Sequence, residues 1–150
     1  MKNNIKCLNN PSNPYKRVLF LGYDVSQTRI IKELILKNCY LDHTAKNIYN
    51  VGKYDLVICY GYKHILSKDL IKKSKCFILN LHISYLPYNK GAHPNFWAFY
   101  DKTPFGVTIH LIDEGIDTGP IIFQKNVTFN KNEVTFEETY KRLKQEIEIL

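Results

Sequence analysis

The sequence predicts an α/β domain, a layered fold whose mostly parallel central sheet is flanked by helices. Three observations carry that expectation. Short, continuous apolar runs recur along the chain, such as Arg17–Tyr23 (RVLFLGY), Asp55–Tyr60 (DLVICY) and Cys76–His82 (CFILNLH), the pattern of strands covered on both faces. Segments with helical spacing stand between them. The chain has 150 residues, 45% hydrophobic and 23% charged, which suits one domain able to bury a core.

The elements follow in order. Met1–Tyr15 is Asn-rich with Pro11 and Pro14, and reads as a flexible leader, residues 1–15. After the strand at Arg17–Tyr23, Ser26 is placed to cap a helix over Gln27–Asn38, where Ile30/Leu34 and Ile31/Ile35 recur at four-residue spacing. Cys39–Lys53 is irregular, with a short strand near Asn47–Val51. Ser67 caps a short helix reaching Ser74 in this reading, and Pro87–Pro94 is a loop leading into an aromatic helix around Asn95–Tyr100. Gly106–Ile112 and Pro120–Val127 read as two further strands. Thr135-Phe136-Glu137-Glu138 has the capping-box pattern, and the helix after it lines up Phe136, Tyr140, Leu143, Ile147 and Leu150 as one apolar seam.

Composition narrows the function. Lys+Arg exceed Asp+Glu by 21 to 14, a net charge of +7. Only Arg17, Arg29 and Arg142 are arginines, the residue suited to bidentate phosphate and base contacts, so nucleic acid is not expected as a partner. The basic balance reads as a solvated surface or as attraction for an anionic small molecule. No apolar run approaches the ~20 residues of a membrane span, and the first fifteen residues lack the apolar stretch of a signal peptide. A cytoplasmic protein without membrane contact is the expectation. Cys7, Cys39, Cys59 and Cys76 form no C-x-x-C pair and read as free thiols.

Two segments carry candidate chemistry. In Asn80-Leu81-His82 the two polar side chains share one strand face, at the carboxyl end of an otherwise apolar strand, where ligands of parallel sheets bind. An amide donor beside an imidazole suits a step that develops an oxyanion; the same spacing also occurs for purely structural reasons. Gly106–Pro120 (GVTIHLIDEGIDTGP) feeds a strand into a loop with Asp113, Glu114 and Asp117. These carboxylates read as an acidic turn or as proton-transfer groups. Their spacing is not that of a calcium loop, and no zinc pattern accompanies it, so no metal is expected.

Together these segments resemble the folate-dependent formyltransferases. The resemblance rests on Asn80-Leu81-His82-Ile83-Ser84-Tyr85-Leu86-Pro87, on Gly91, on Gly106-Val107-Thr108-Ile109-His110, and on Asp117-Thr118-Gly119-Pro120-Ile121-Ile122. It covers about residues 54–127. The family commonly has Pro where Ile83 stands. The resemblance implies a Rossmann-like formyltransferase fold for residues 16–150, without the smaller carboxy-terminal domain of sugar N-formyltransferases. It also implies that Asn80, His82 and Asp117 are catalytic and converge at the carboxyl end of the sheet. The formyl donor it implies is 10-formyltetrahydrofolate, with neither metal nor covalent intermediate. In the chemistry the resemblance implies, Asn80 and His82 would stabilise an oxyanion, and Asp117 would set the charge of His82 and relay a proton through water.

The folate pocket it implies draws on Tyr62, Lys63, His64 and Ile65 after a strand, and on Ile112, Asp113, Glu114 and Ile116 in the later loop. Tyr62 and Ile65 read equally as core, and His64 as a surface residue. His110 reads either as a satisfied core histidine or as a partner of Asp117 at the edge of that pocket. For the acceptor amine, Gly22-Tyr23-Asp24-Val25-Ser26 has a single glycine, a poor cradle for a ribose phosphate. Three arginines and an end at Leu150 argue against a tRNA acceptor. Tyr88–Trp97 and YDLVICYGYKHIL are closest to the sugar N-formyltransferases, so a nucleotide-linked amino sugar is the expected substrate. Lys63, Lys90 and Trp97 are candidate contacts to it, the lysines otherwise solvated and Trp97, like Phe96 and Phe99, otherwise core. The alternatives are formylation of methionyl-tRNA or glycinamide ribonucleotide, and a truncated, non-catalytic folate binder. Ile147 and Leu150 at the end of the last helix mark a possible homodimer contact.

Overall fold

The computed structural model describes residues 5–130 and 135–150. Its elements are β1 (Lys6–Asn9), β2 (Arg17–Gly22), α1 (Ile30–Leu36), β3 (Tyr40–Thr44), β4 (Leu56–Tyr60), α2 (Lys68–Lys73), β5 (Phe77–His82), α3 (Pro94–Tyr100), β6 (Gly106–Leu111), β7 (Ile121–Asn126) and α4 (Phe136–Ile149). The alternation of strands and helices is the expected α/β class. The chain divides into two compact units, Met1–Leu79 and Asn80–Leu150, with the boundary inside β5.

In the first unit the strand order is β1-β3-β2-β4. β2 pairs parallel with both β3 and β4. A strand with parallel neighbours on both sides is shielded on both faces, and Val18, Leu19, Phe20 and Leu21 are all buried. Ile31, Leu41, Val57 and Tyr60 complete this core. Burial pushes the Cys59 thiol up to about 12.

Three expectations for this unit are corrected. The stretch expected as a flexible leader contains β1, which pairs antiparallel with β3, Lys6 opposite His43; the ladder holds a polar sequence that no hydrophobic period announces. Met1–Asn4 lie outside the described residues. α1 begins at Ile30 rather than Gln27, with Arg29 at its N-cap and no side-chain cap, and the Ser26 hydroxyl donates instead to the Asp24 carboxylate at 2.6 Å. The strand after α1 is Tyr40–Thr44, not Asn47–Val51. Its middle residue is the buried Asp42, satisfied by Lys53 and Tyr54, and that polar centre hides the strand from a hydrophobicity reading.

In the second unit β6 lies between β5 and β7 in strand order, and β7 pairs antiparallel with β6. α4 packs on β6 and α3. Thr135 caps α4 as expected, accepting from the Glu138 N–H at 3.2 Å and donating to the Glu138 carboxylate at 2.8 Å. The buried face of α4 is Thr139, Leu143, Glu146 and Ile147, at helical spacing. It is rotated from the expected seam, for Phe136 and Leu150 are exposed. Two polar residues on that face are satisfied. The Thr139 hydroxyl accepts from Asn95 Nδ2, and the Glu146 carboxylate takes Lys125 Nζ at 2.6 Å and Arg142 Nε at 2.8 Å. Ile147 is 1% exposed, so it is a core residue rather than the exposed contact the sequence suggested.

Candidate active site

β5 ends in Asn80-Leu81-His82 and β6 ends in His110-Leu111. The loop from β6 to β7 carries Asp117 back to them. Its base is closed by the Leu111 N–H donating to the Pro120 carbonyl at 2.9 Å. Gly119 lies against that base, and a Cβ there would overlap the Leu111 carbonyl. Asp117 itself has φ +50, a left-handed conformation uncommon outside glycine and tolerated best by Asn and Asp.

The four polar side chains meet. Asn80 Nδ2 donates to Asp117 Oδ1 at 3.0 Å, which fixes the amide with its nitrogen toward the carboxylate. His110 Nε2 is 3.2 Å from the same nitrogen and 3.3 Å from the same oxygen. His110 Nδ1 donates to the Leu111 carbonyl at 2.8 Å. Asp117 Oδ1 and His110 Nε2 therefore both lie within hydrogen-bond reach of the Asn80 amide nitrogen.

His82 is 7% exposed. Its Nε2 donates to the Asn89 carbonyl at 3.1 Å and lies 3.5 Å from Asp117 Oδ2. Asp117 Oδ2 also accepts from the Gly91 N–H at 2.7 Å. Burial lowers the His82 pKa from its ordinary value, and the nearby Asp117 only partly offsets this, so the ring is neutral near pH 7. For Asp117 burial works upward, but the His110 hydrogen bond, the His82 ring and the Gly91 N–H outweigh it and bring the carboxyl down to about 2. A neutral imidazole, an ionised carboxylate and an amide donor thus share one cluster. Such groups can accept a proton, stabilise the resulting cation and donate to an oxyanion.

The other predicted positions fall as follows. Ile112 and Asp113 are half-buried, while Glu114 and Ile116 are exposed. The Asp113 carboxylate accepts from the Gly115 N–H at 3.0 Å and the Thr118 hydroxyl at 2.7 Å, so it folds the loop on itself. Lys90 is exposed beside Asn89. Phe96 and Trp97, weighed as core, are 47% and 42% exposed, and Phe96 stacks on Tyr100. Phe99 is half-buried against Phe105 and Phe136. Tyr62, Lys63, His64 and Ile65 belong to the first unit. There the Tyr62 hydroxyl donates to the Lys46 carbonyl at 3.0 Å, and burial pushes its pKa up to about 12. Lys63 and His64 are exposed, and Ile65, at 81% exposed, is not core. The backbone groups of Asn89 and Gly91 were not foreseen from the sequence; Gly91, in a loop followed by Pro94, was their only signal. Among the described residues no group of three or more His, Cys, Asp or Glu could hold a metal ion, and no helix is long and apolar enough to cross a membrane.

The chain is similar to the methionyl-tRNA formyltransferase of Thermodesulfovibrio yellowstonii, 40% identical over 91 residues, which are 59% of this chain and 29% of that protein. It is as similar to the dTDP-4-amino-4,6-dideoxyglucose formyltransferase of Mycobacterium bovis, 40% identical over 75 residues, 50% of this chain and 31% of that one. The chain therefore spans about three tenths of these relatives' length. Among solved structures it is similar to the formyltransferase PseJ of Anoxybacillus kamchatkensis, solved with UDP-4,6-dideoxy-4-formamido-L-AltNAc and tetrahydrofolate. The TM-score is 0.81 and the identity 38%, covering 89% of this chain and 71% of that one. The Formyl transferase family model matches residues 14–150, nearly the whole chain, and the chain belongs to that family.

Proposed function

We propose that this protein transfers a formyl group from 10-formyltetrahydrofolate to the amino group of a nucleotide-linked amino sugar. The observation that carries the reading is the convergence of Asn80, His82 and Asp117, with Asn80 Nδ2 3.0 Å from Asp117 Oδ1 and His82 Nε2 3.5 Å from Asp117 Oδ2. The likeness to PseJ, solved with a formamido sugar nucleotide and tetrahydrofolate, supports the choice of donor and acceptor class. The donor set suits a folate: the loop Ile112–Ile116 offers backbone groups and an exposed Ile116, whose Cγ2 lies 3.8 Å from the position a Cβ on Gly91 would take. Bound there, the folate supplies an electrophilic one-carbon unit.

The chain's own groups do the rest. The amide N–H of Asn80 stabilises an oxygen as it gains negative charge. The neutral His82 ring takes up the proton that an attacking amine must lose. Asp117, ionised beside it, stabilises the imidazolium that results. Lys90, exposed between Asn89 and Gly91, and Trp97, exposed on α3, are the second unit's candidates for contacts to the sugar nucleotide, and Lys63 with Tyr62, His64 and Ile65 are the first unit's candidates for the ligands.

The similarity to a methionyl-tRNA formyltransferase at equal identity sustains a second reading with the same chemistry on a different amine. One experiment separates them. The protein is incubated with 10-formyltetrahydrofolate and, in parallel, with dTDP- and UDP-linked 4-amino sugars, glycinamide ribonucleotide and methionyl-tRNA, and formyl gain is followed by mass. Formylation of a sugar nucleotide alone is the expected result; formylation of methionyl-tRNA alone would replace the proposed acceptor.

A further inference from the structure

The turn that follows His82 is fastened from behind by two residues with no assigned role. Thr108, in the middle of β6, is 0% exposed. Its hydroxyl donates to the Ser84 carbonyl at 2.7 Å and accepts from the Leu86 N–H at 3.3 Å. Gln124, on β7, donates through Nε2 to the Leu86 carbonyl at 2.7 Å and to the Thr108 hydroxyl at 3.0 Å. Both bonds from Gln124 end on oxygens, which fixes the amide orientation. The turn has no slack on the β6 side: a Cβ on Gly106 would sit 2.8 Å from Tyr85 Cβ. Inside the turn, the buried Ser84 hydroxyl donates to the Tyr88 carbonyl at 2.5 Å.

The next residues of the same backbone reach the site. The Asn89 carbonyl accepts from His82 Nε2, and the Gly91 N–H donates to Asp117 Oδ2. Asn89 has φ +53 and Gly91 φ +82, so this backbone path is a specific one that few residues follow freely. Ser84–Leu86 is thus the anchored end of a short lever, and Asn89–Gly91 is the end that touches the two ionisable groups.

We propose that Thr108 and Gln124 are positioning residues. They hold the Ser84–Leu86 turn so that the Asn89 carbonyl fixes the proton on His82 Nε2 and the Gly91 N–H holds Asp117 ionised and in place. The inference rests on the proposed reaction only for its kinetic consequence; the geometric consequence stands alone. An active-site group moved by about 1 Å costs up to ~100-fold in rate, so a loosened turn is felt in turnover without any lost ligand contact.

Thr108→Val removes the hydroxyl and keeps the shape, Thr108→Ser keeps the hydroxyl, and Gln124→Met removes the amide from β7. Two readouts are taken on each full chain. Amide hydrogen exchange at Gly91 reports the lever without any substrate. Steady-state formylation reports kcat and KM, with the pH dependence of kcat. Thr108→Val and Gln124→Met are expected to speed Gly91 exchange ~10-fold or more and to lower kcat ~10–100-fold at nearly constant KM. The limb of the pH profile set by His82 should shift, and Thr108→Ser should restore both readouts. Wild-type exchange at Gly91 in folded Thr108→Val and in Gln124→Met overturns the proposal, as does a Thr108→Ser variant as impaired as Thr108→Val. If Thr108→Val does not fold, Gln124→Met decides alone. A wild-type protein that formylates no acceptor removes the proposed function but leaves the exchange result to decide the clamp.

Discussion

Asp42 in the first unit is a buried carboxylate and Asp117 in the second a largely buried one, and they are solvated by the protein in opposite ways. Asp42, with 3% of its side chain exposed, takes Lys53 Nζ at 2.8 Å and the Tyr54 hydroxyl at 2.6 Å. Burial works to raise its pKa, but those hydrogen bonds outweigh it and the net shift is downward; burial, then its hydrogen bond to Asp42, raises Tyr54, and the separate hydrogen bond from Lys53 to Asp42 raises Lys53. Every group around Asp42 is thereby held in the protonation state it already has near neutral pH. Asp117 has instead an amide, two imidazoles and a backbone N–H. Its neighbour His82 is pushed by burial toward the neutral form, one proton short of a state that Asp117 would stabilise. A buried carboxylate by itself says nothing of chemistry. Partners that can change protonation near pH 7, next to an amide donor, separate a reactive cluster from a structural one.

The contrast can be broken first at His82. His82→Ala should lower formyl transfer by ~10²–10⁴-fold, the range of a positioned general base, with the fold retained by circular dichroism. A variant as active as wild type would make the second cluster as structural as the first. Asp42→Asn should do the reverse. It weakens hydrogen bonds to a buried Tyr54 hydroxyl and to Lys53, so urea unfolding should show a loss of about 1–3 kcal/mol, while turnover of the folded protein is unchanged. A large fall in turnover at unchanged stability would move Asp42 into the working machinery.

Acid sharpens the comparison with a smaller effect. Unfolded His82 takes a proton near its ordinary pKa of ~6.5, whereas the folded, buried ring resists it. In the window from ~6.5 down to the lowered folded value, the unfolded chain binds more protons, so stability is complete above the window and falls as pH falls through it, by at most about 1.4 kcal/mol per pH unit. The carboxylates act lower. The stabilisation from Asp117 is present above its ordinary range and is lost as pH falls toward about 2, and that from Asp42 is likewise lost only in strong acid. Urea unfolding at pH 7 and pH 5 should therefore show a loss in wild type that His82→Gln reduces and Asp42→Asn leaves in place. Equal losses in wild type and His82→Gln would mean that the ring is not neutral in the folded state.

How much of this was legible in the sequence depended on what kind of group carried it. β2 and β4 were plain because both their faces are buried and the apolar run is unbroken. The caps at Ser67 and Thr135 were plain because the bond is local, Ser67 accepting from the Leu70 N–H at 3.2 Å and Thr135 from the Glu138 N–H. Ser26 failed by the same logic, since Asp24 competes for its hydroxyl two residues away. β3 was hidden by Asp42, a polar residue whose partners lie 11 and 12 positions on. Asn80 and His82 were legible as same-face polar residues, and Asp117 joined them through the motif in its loop. The Asn89 carbonyl and the Gly91 N–H were not, because backbone groups leave no residue signature. The rotated buried face of α4 escaped notice because Thr139 and Glu146 are buried by pairing rather than by hydrophobicity.

The central claim is that the amide donor of Asn80 acts on charge that exists only during the reaction. The measurement that tests it most directly is the steady-state formylation of a UDP- or dTDP-linked 4-amino sugar by wild type and Asn80→Ala, with tetrahydrofolate binding measured separately by calorimetry. The account predicts product from the wild type, a ~10²–10³-fold fall in kcat for the variant, and nearly unchanged folate affinity. Folate affinity and kcat falling together, or a variant that turns over as fast as wild type, would contradict it.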